Sequence, residues 1–360
     1  MSAHEILIII MAIFAAIGAI DRIFGDKFGL GKEFENGIMA MGPLAMAMLG
    51  IIVLAPVLAN VLRPVVVPVY EFLGADPAMF AGTILACDMG GAPLAMELTT
   101  DTEAALMSGI LAGSMLGVTI VFTIPIAMGI LKPEDRPALA KGVLSGIITI
   151  PIGLFVGGLV AGIPLIKVLR NLTPVVIIAL LIVLGLWKAE KWMIKGFSWF
   201  GKGISILITA GLAIAIVQEL TDFTILPGLA PLSEGFQTVG AIAIVLAGAF
   251  PLVYLLTKLL RKPLMKLGSL LGIGDTAAAG LIATLANSIA TFGMIKDMDD
   301  RGKVVNIAFA VSAAFVFGDH MGFTAGFAPE MLPAMIVGKL VGGVTAVAVA
   351  LFLTRKTANP

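Results

Sequence analysis

Three short stretches hold the residues whose types and spacing could do chemistry. In Ala86-Cys87-Asp88-Met89-Gly90-Gly91-Ala92-Pro93, Asp88 is the only charge between residues 77 and 96. Inside a bilayer such a charge costs about 2.5–3.5 kcal/mol even on the mildest scale, and it marks function by default. The Gly-Gly pair and the proline break a helix there. A half-helix ending at that point aims its carbonyls, the negative end of its dipole, at the same place. A carboxylate beside free carbonyls is a cation site; a structural reading has Asp88 pairing with backbone amides of the turn. A second stretch, Ala286-Asn287-Ser288-Ile289-Ala290-Thr291, offers only neutral donors and acceptors. Asn287, Ser288 and Thr291 suit a hydroxyl group, or they satisfy a broken backbone. The third is Gly318-Asp319-His320-Met321-Gly322. An acid and a titratable histidine between glycines fit a second cation or proton element, or a polar helix end at the membrane surface.

Other polar motifs read as structural. Gly272-Ile273-Gly274-Asp275 has the G-x-G-D form of intramembrane aspartyl proteases but lacks the second aspartate on a helix, preceded by tyrosine. Asp275 and Asp76 are expected as N-caps, and Glu134 and Glu330 as favourable charges at helix starts. Gly109, Gly113 and Gly117 form a close-packing face. Met39, Met41, Met46 and Met48 have no His or Cys beside them and read as packing. His4-Glu5 lacks the second histidine of a zinc motif.

The elements that carry these residues follow from composition. Of 360 residues, 59% are apolar and 13% charged, with mean hydropathy +1.08. A soluble domain has about 25% charged residues. That excludes a soluble enzyme, a disordered chain and a disulfide scaffold. Lys+Arg and Asp+Glu are equal at 23 each, which leaves no basic field for nucleic acid. No cofactor or metal motif is present. The single cysteine, Cys87, cannot form an internal disulfide.

A membrane helix needs about 20 mostly apolar residues. Charge-free runs of that order lie at 37–62, 104–131, 142–166, 171–187, 235–257 and 276–295. Shorter runs at 6–20, 203–218, 304–318 and 340–354 become long enough with their flanks, and 77–96 is apolar except for Asp88. Barrel strands would alternate with period two; these runs do not, so the chain is expected to be all-helical. The first run lacks the positive charge that precedes a signal peptide's apolar core.

The chain also repeats itself. Pro133-Glu134, Pro137-Ala138, Gly142 and Gly146 recur as Pro329-Glu330, Pro333-Ala334, Gly338 and Gly342. Upstream, Gly37, Leu62-Arg63, Ala81-Gly82 and Ser114 match Gly235, Leu260-Arg261, Ala279-Gly280 and Ser312. The expected organisation is a membrane repeat over 1–163, a linker helix over 164–198 and a second repeat over 199–356. Duplication of this kind marks secondary transporters. If all eleven segments cross, basic residues divide almost evenly between the two sides. If 77–96 and 275–295 are re-entrant hairpins, 19 of the 23 Lys and Arg fall on one side, as the positive-inside rule requires. The expectation is therefore an all-α polytopic membrane protein. It has nine spanning helices, two re-entrant hairpins and two inverted-topology repeats, with the N-terminus outside and the C-terminus inside.

Several stretches carry a resemblance as well. Met39-Ala40-Met41-Gly42, Leu54-Ala55-Pro56-Val57, Pro68-Val69-Tyr70-Glu71 and Met79-Phe80-Ala81-Gly82, with the run through Asp88 and Phe317-Gly318-Asp319-His320, resemble the bacterial ethanolamine transporter family of the ethanolamine-utilisation operon. The resemblance implies a multi-pass inner-membrane permease that feeds ethanolamine to a cytoplasmic breakdown pathway. It carries over no binding residues. The residue reading agrees with it: Asp88 and hairpin carbonyls suit an ammonium, and Asn287, Ser288 and Thr291 a hydroxyl. Asp319 and His320 complete the expected substrate set, and Phe80 or Tyr70 could offer a cation–π face. No Lys or Arg sits at either hairpin tip, which disfavours a carboxylate substrate. The competing reading is a sodium- or proton-coupled carrier of another small polar solute. An intramembrane enzyme lacks a nucleophile–base pair. A homo-oligomer is compatible with the sequence.

Overall fold

The computed structural model describes residues 1–355, and only the backbone of Leu260, Arg261, Leu264, Leu267 and Ser269. The match of Leu62-Arg63 to Leu260-Arg261, and the basic Lys356, thus lie outside the described residues. No strand occurs among the described residues. Within a bilayer only an element that satisfies its own backbone can cross, so continuous apolar runs become helices.

The helices in chain order are α1 (Ala3–Ile23), α2 (Leu30–Met39), α3 (Met41–Phe72), α4 (Met79–Ile84), α5 (Gly91–Leu98) and α6 (Thr102–Ile130). They continue as α7 (Pro133–Val160), α8 (Leu165–Thr221), α9 (Leu232–Leu271), α10 (Asp275–Ala286) and α11 (Ser288–Met294). The last are α12 (Asp300–Ala313), α13 (Asp319–Phe327) and α14 (Pro329–Leu353). Seven of these are long and apolar enough to cross a membrane, which makes the chain a polytopic membrane protein.

Two features separate seven such helices from nine expected spans. First, α8 carries both runs 171–187 and 203–218. It departs from helical geometry at Ala189 (φ −142°, ψ 42°). A Cβ on Gly185 would lie 2.6 Å from Met193 Sδ, although a straight helix separates such residues by about 12 Å. The chain therefore doubles back at Ala189 into two arms. Second, the run 304–318 is not one helix: α12 stops at Ala313 and α13 starts at Asp319.

The long helices pack through glycines. Gly50 of α3 lies against the Ile208 backbone of α8, and Gly248 of α9 against the Met11 backbone of α1. Gly153 and Gly157 of α7 face Gly338 of α14 across a similarly close contact. The core is centred on α6, the most completely buried of the seven. It is π-helical over Met107–Gly117 and Thr119–Thr123, and π segments are frequent at functional sites.

Three breaks interrupt the remaining helices. Between α4 and α5 a 3₁₀ turn spans Cys87–Met89, and Gly90 follows at φ 94° against the Ile51 side chain. Only glycine fits both that dihedral and that contact. Between α10 and α11, Asn287 is extended and its side chain accepts from Ile289 N at 2.8 Å. The third break docks on the second: Phe315 N donates to Thr284 O (3.2 Å) and Phe317 N to Leu285 O (2.9 Å). Each break thereby satisfies backbone groups that the other frees. The expected caps are corrected. Asp76 Oδ1 accepts from Ala78 N at 2.8 Å, but Ala78 is itself the N-cap of α4 and no side chain caps that helix. Asp275 is the first residue of α10, whose N-cap is Gly274. The carboxylate at that end is Asp299, which accepts from Gly274 N (2.8 Å) and Gly302 N (3.0 Å).

Candidate functional site

The first and third breaks bring Asp88 and Asp319 to one cavity of about 260 Å³. Its walls come from the start of α3 (Ala40, Pro43, Leu44, Ala47), the 3₁₀ turn (Asp88, Met89), α6 (Val118, Phe122) and the third break (Phe315, Asp319, His320). Phe315 sits at φ 63°, an outlier for a bulky residue and the kind of strain found at functional sites. Its ring edges onto Phe122 (5.7 Å between centroids) and tilts against His320 (5.2 Å).

The Asp88 side chain keeps 17% exposure. Its side-chain contacts are the Cys87 thiol and His320 Nε2, each at 3.9 Å. His320 is buried and its Nδ1 has no partner. No hydrogen bond to the Asp319 carboxylate occurs among the described residues. Two carboxylates with spare acceptor capacity therefore face an apolar, aromatic-walled space.

A second cavity of about 320 Å³ adjoins the first. It is lined by Glu33, Phe250, Val253, Tyr254, Thr257, Ala286, Asn287, Phe317 and Asp319. Asp319 is the residue the two cavities share. Of the residues expected from sequence, Asp88, Asp319 and His320 line the first cavity and Asn287 the second. Thr291 lines neither: its hydroxyl bonds Thr284 Oγ1 (2.8 Å) and Gly280 O (3.0 Å), tying α11 to α10. Ser288 is fully buried with an unpartnered hydroxyl, outside both linings. Phe80 stands edge-on to Tyr70, with centroids 6.2 Å apart, and neither ring reaches a cavity lining.

Sequence reasoning passed over Lys339, Phe122 and Phe315. Lys339 of α14 is fully buried, donates to Ser114 O, and interacts electrostatically with Cys87 and Asp88. The neighbouring Gly113 presses on the Cys87 backbone, where a Cβ would come within 2.9 Å of Cys87 N. The signal for Lys339 was present, because it is a lone cation within a membrane run. Nothing in the sequence ranks Phe122 and Phe315 above 18 other phenylalanines.

Cys87, Asp88 and His320 offer three donor atoms within 4.8 Å of one another, a spacing that a metal ion could use. The formal charges favour a monovalent guest instead. Counted as formal charges, Asp88 and Asp319 contribute two negative charges and Lys339 one positive. One ammonium balances the site, whereas a divalent ion overshoots it beside a buried lysine.

A helical membrane protein whose broken helices enclose adjoining polar-centred cavities belongs to the transport class. Residues 3–353 match the sequence model of the ethanolamine utilisation protein EutH. "Probable ethanolamine permease EutH" of Listeria monocytogenes is 61% identical over 356 residues, covering 99% of this chain and 95% of that protein. The protein of the same name from Salmonella typhimurium is 50% identical, covering 99% and 97%. YxeR of Bacillus subtilis is 48% identical, covering 98% and 96%. No solved structure matches the chain. This chain belongs to the ethanolamine utilisation protein EutH family.

Proposed function

We propose that the protein is an ethanolamine permease of the bacterial cytoplasmic membrane, a carrier or facilitator in which Asp88 and Asp319 share the substrate ammonium. The observation that carries this reading is the pair of carboxylates, free of strong hydrogen bonds, facing one cavity walled by Phe122 and Phe315. The aromatic faces add a cation–π attraction for the ammonium. Asn287 in the adjoining cavity, or His320, takes the hydroxyl. Thr291 holds the α10–α11 hairpin together through Thr284 and Gly280. The printed names of the relatives point to the same substrate, and uptake would supply a cytoplasmic pathway that breaks ethanolamine down.

The same reading includes nine spans, two re-entrant hairpins (77–96 and 275–295) and inverted repeats over 1–163 and 199–356. Support comes from reciprocal packing. Gly50 and Gly248 are 198 positions apart and receive the backbones of Ile208 and Met11, which are 197 apart. Each repeat's first helix thus packs on the other repeat. Glu33, Ala40 and Thr257 lie at or beside the ends of apolar runs that the positive-inside count puts on the cytoplasmic side. Both cavities then open inward.

The test is uptake of labelled ethanolamine into proteoliposomes without ion gradients, comparing wild type with Asp88→Asn and Asp319→Asn. The expected outcome is equilibration by wild type and at least a tenfold loss in each variant, measured on variants that elute as folded protein. Uptake by wild type only under a sodium or proton gradient would assign these carboxylates to ion coupling. Normal uptake by both variants would refute the site.

A further inference from the structure

A groove lies away from both cavities. The groove has a volume of about 670 Å³ and runs between the second arm of α8 and the α6–α7 junction. Three cations line it, Arg136, Lys191 and Lys195, against one carboxylate, Glu190. The acids beside Arg136 are engaged elsewhere: Glu134 pairs with Lys132 at 3.9 Å and Asp135 with Lys303 at 2.7 Å. Arg136 and Lys191 have neither ion pair nor hydrogen bond among the described residues. Lys195 has only a cation–π contact, its Nζ 5.8 Å from the Trp192 ring centroid. Met128, Ile194 and Trp199 supply an apolar wall to the same groove.

All three tryptophans of the protein, Trp187, Trp192 and Trp199, fall on this stretch, each more than 60% exposed. They follow the exposed leucines Leu180, Leu181 and Leu184 on the first arm of α8. Tryptophan in that position marks the headgroup level of a bilayer. Uncompensated cations beside an apolar wall at headgroup depth match a phosphate carried on an acyl chain, since basic pockets between helices bind anionic lipid headgroups.

We propose that this groove binds an anionic phospholipid, with Arg136, Lys191 and Lys195 holding its phosphate and the Met128–Ile194–Trp199 wall receiving the upper acyl chain. Because Trp199 lines the groove and Trp192 lies under Lys195, intrinsic fluorescence reports on it. The purified protein is titrated in mixed micelles with phosphatidylglycerol or phosphatidylcholine carrying brominated acyl chains, which quench tryptophan on contact. Wild type is expected to be quenched at a several-fold lower mole fraction of brominated phosphatidylglycerol than of phosphatidylcholine. Arg136→Gln/Lys191→Gln/Lys195→Gln should erase the preference, and Lys191→Gln alone should reduce it. The charge-matched Lys27→Gln/Lys262→Gln/Lys296→Gln should retain it. All these side chains are exposed, so the melting temperature should hold. Equal quenching by both lipids in wild type overturns the proposal, as does a preference that survives the triple variant or falls equally in the control. A preference abolished by millimolar inorganic phosphate would reassign the groove to a free anion.

Discussion

Lys339 is the residue that ties the candidate site together. Its ammonium is buried in α14, bonds a carbonyl of the π-helical part of α6, and lies within the field of Asp88. Lys339 interacts electrostatically with Asp88 without forming an ion pair with it, and removing one of two buried charges that favour each other is destabilising. Lys339→Met should therefore lower thermal stability and abolish ethanolamine uptake. Lys339→Met/Asp88→Asn should be more stable than Lys339→Met alone, since no buried charge is left stranded. Thermal unfolding of the four proteins in detergent gives the coupling, expected at about 0.5–3 kcal/mol. Strict additivity would mean that Lys339 and Asp88 do not interact.

At the scale of elements, the start of α6 is fixed by a charge-assisted cap. Asp101 accepts from Ala104 N at 3.2 Å, and Lys167 at the start of α8 reaches both Asp101 (2.8 Å) and Glu103 (2.6 Å). Burial opposes ionisation of Asp101, but the Lys167 ammonium and the helix amides outweigh it, so its carboxyl titrates below the usual carboxylate value. A carboxyl depressed on folding stabilises above its unfolded pKa, and that contribution disappears as pH falls through the folded value. Asn is as good an N-cap as Asp, so Asp101→Asn removes the charge and keeps the cap. The variant should be less stable by about 0.2–1 kcal/mol, the range for exposed pairs, from pH 7 down to about 5. The difference should close below about pH 4. A gap that persists undiminished at pH 3 would mean the cap, not the charge, accounts for it.

At the scale of the whole molecule, the positive-inside count gives an expected direction for the helices, with the N-terminus outside and the C-terminus inside. Cys87 is buried and should stay silent to an impermeant maleimide, so single-cysteine reporters can be added to the natural sequence. Thr224 lies in the exposed turn after α8, and Lys27 in the exposed turn after α1. In intact cells Thr224→Cys should label and Lys27→Cys should label only after lysis. The reverse pattern would invert the topology, and labelling of both from outside would dismiss it.

The sequence by itself determined the solvent and the sites of interruption. Long uncharged runs admit only helices in a bilayer. The breaks at Gly90-Gly91, Asn287-Ser288 and Gly318 were readable because glycine, proline and isolated polar groups act locally on the backbone. Asp88, Asp319 and His320 stood out because intramembrane ionisable groups are costly and few. Tertiary structure alone decided the rest. The charged stretch between runs 171–187 and 203–218 announces a turn, but its place at Ala189, which no glycine or proline marks, was not legible. Whether Thr291 faces a ligand or Thr284, and whether Phe80 or Phe122 walls the cavity, depends on which neighbour each side chain meets across the core. Lys339 and Asp88 are 251 positions apart in the chain, and no local rule relates them; the packing of α14 on α6 brings them together.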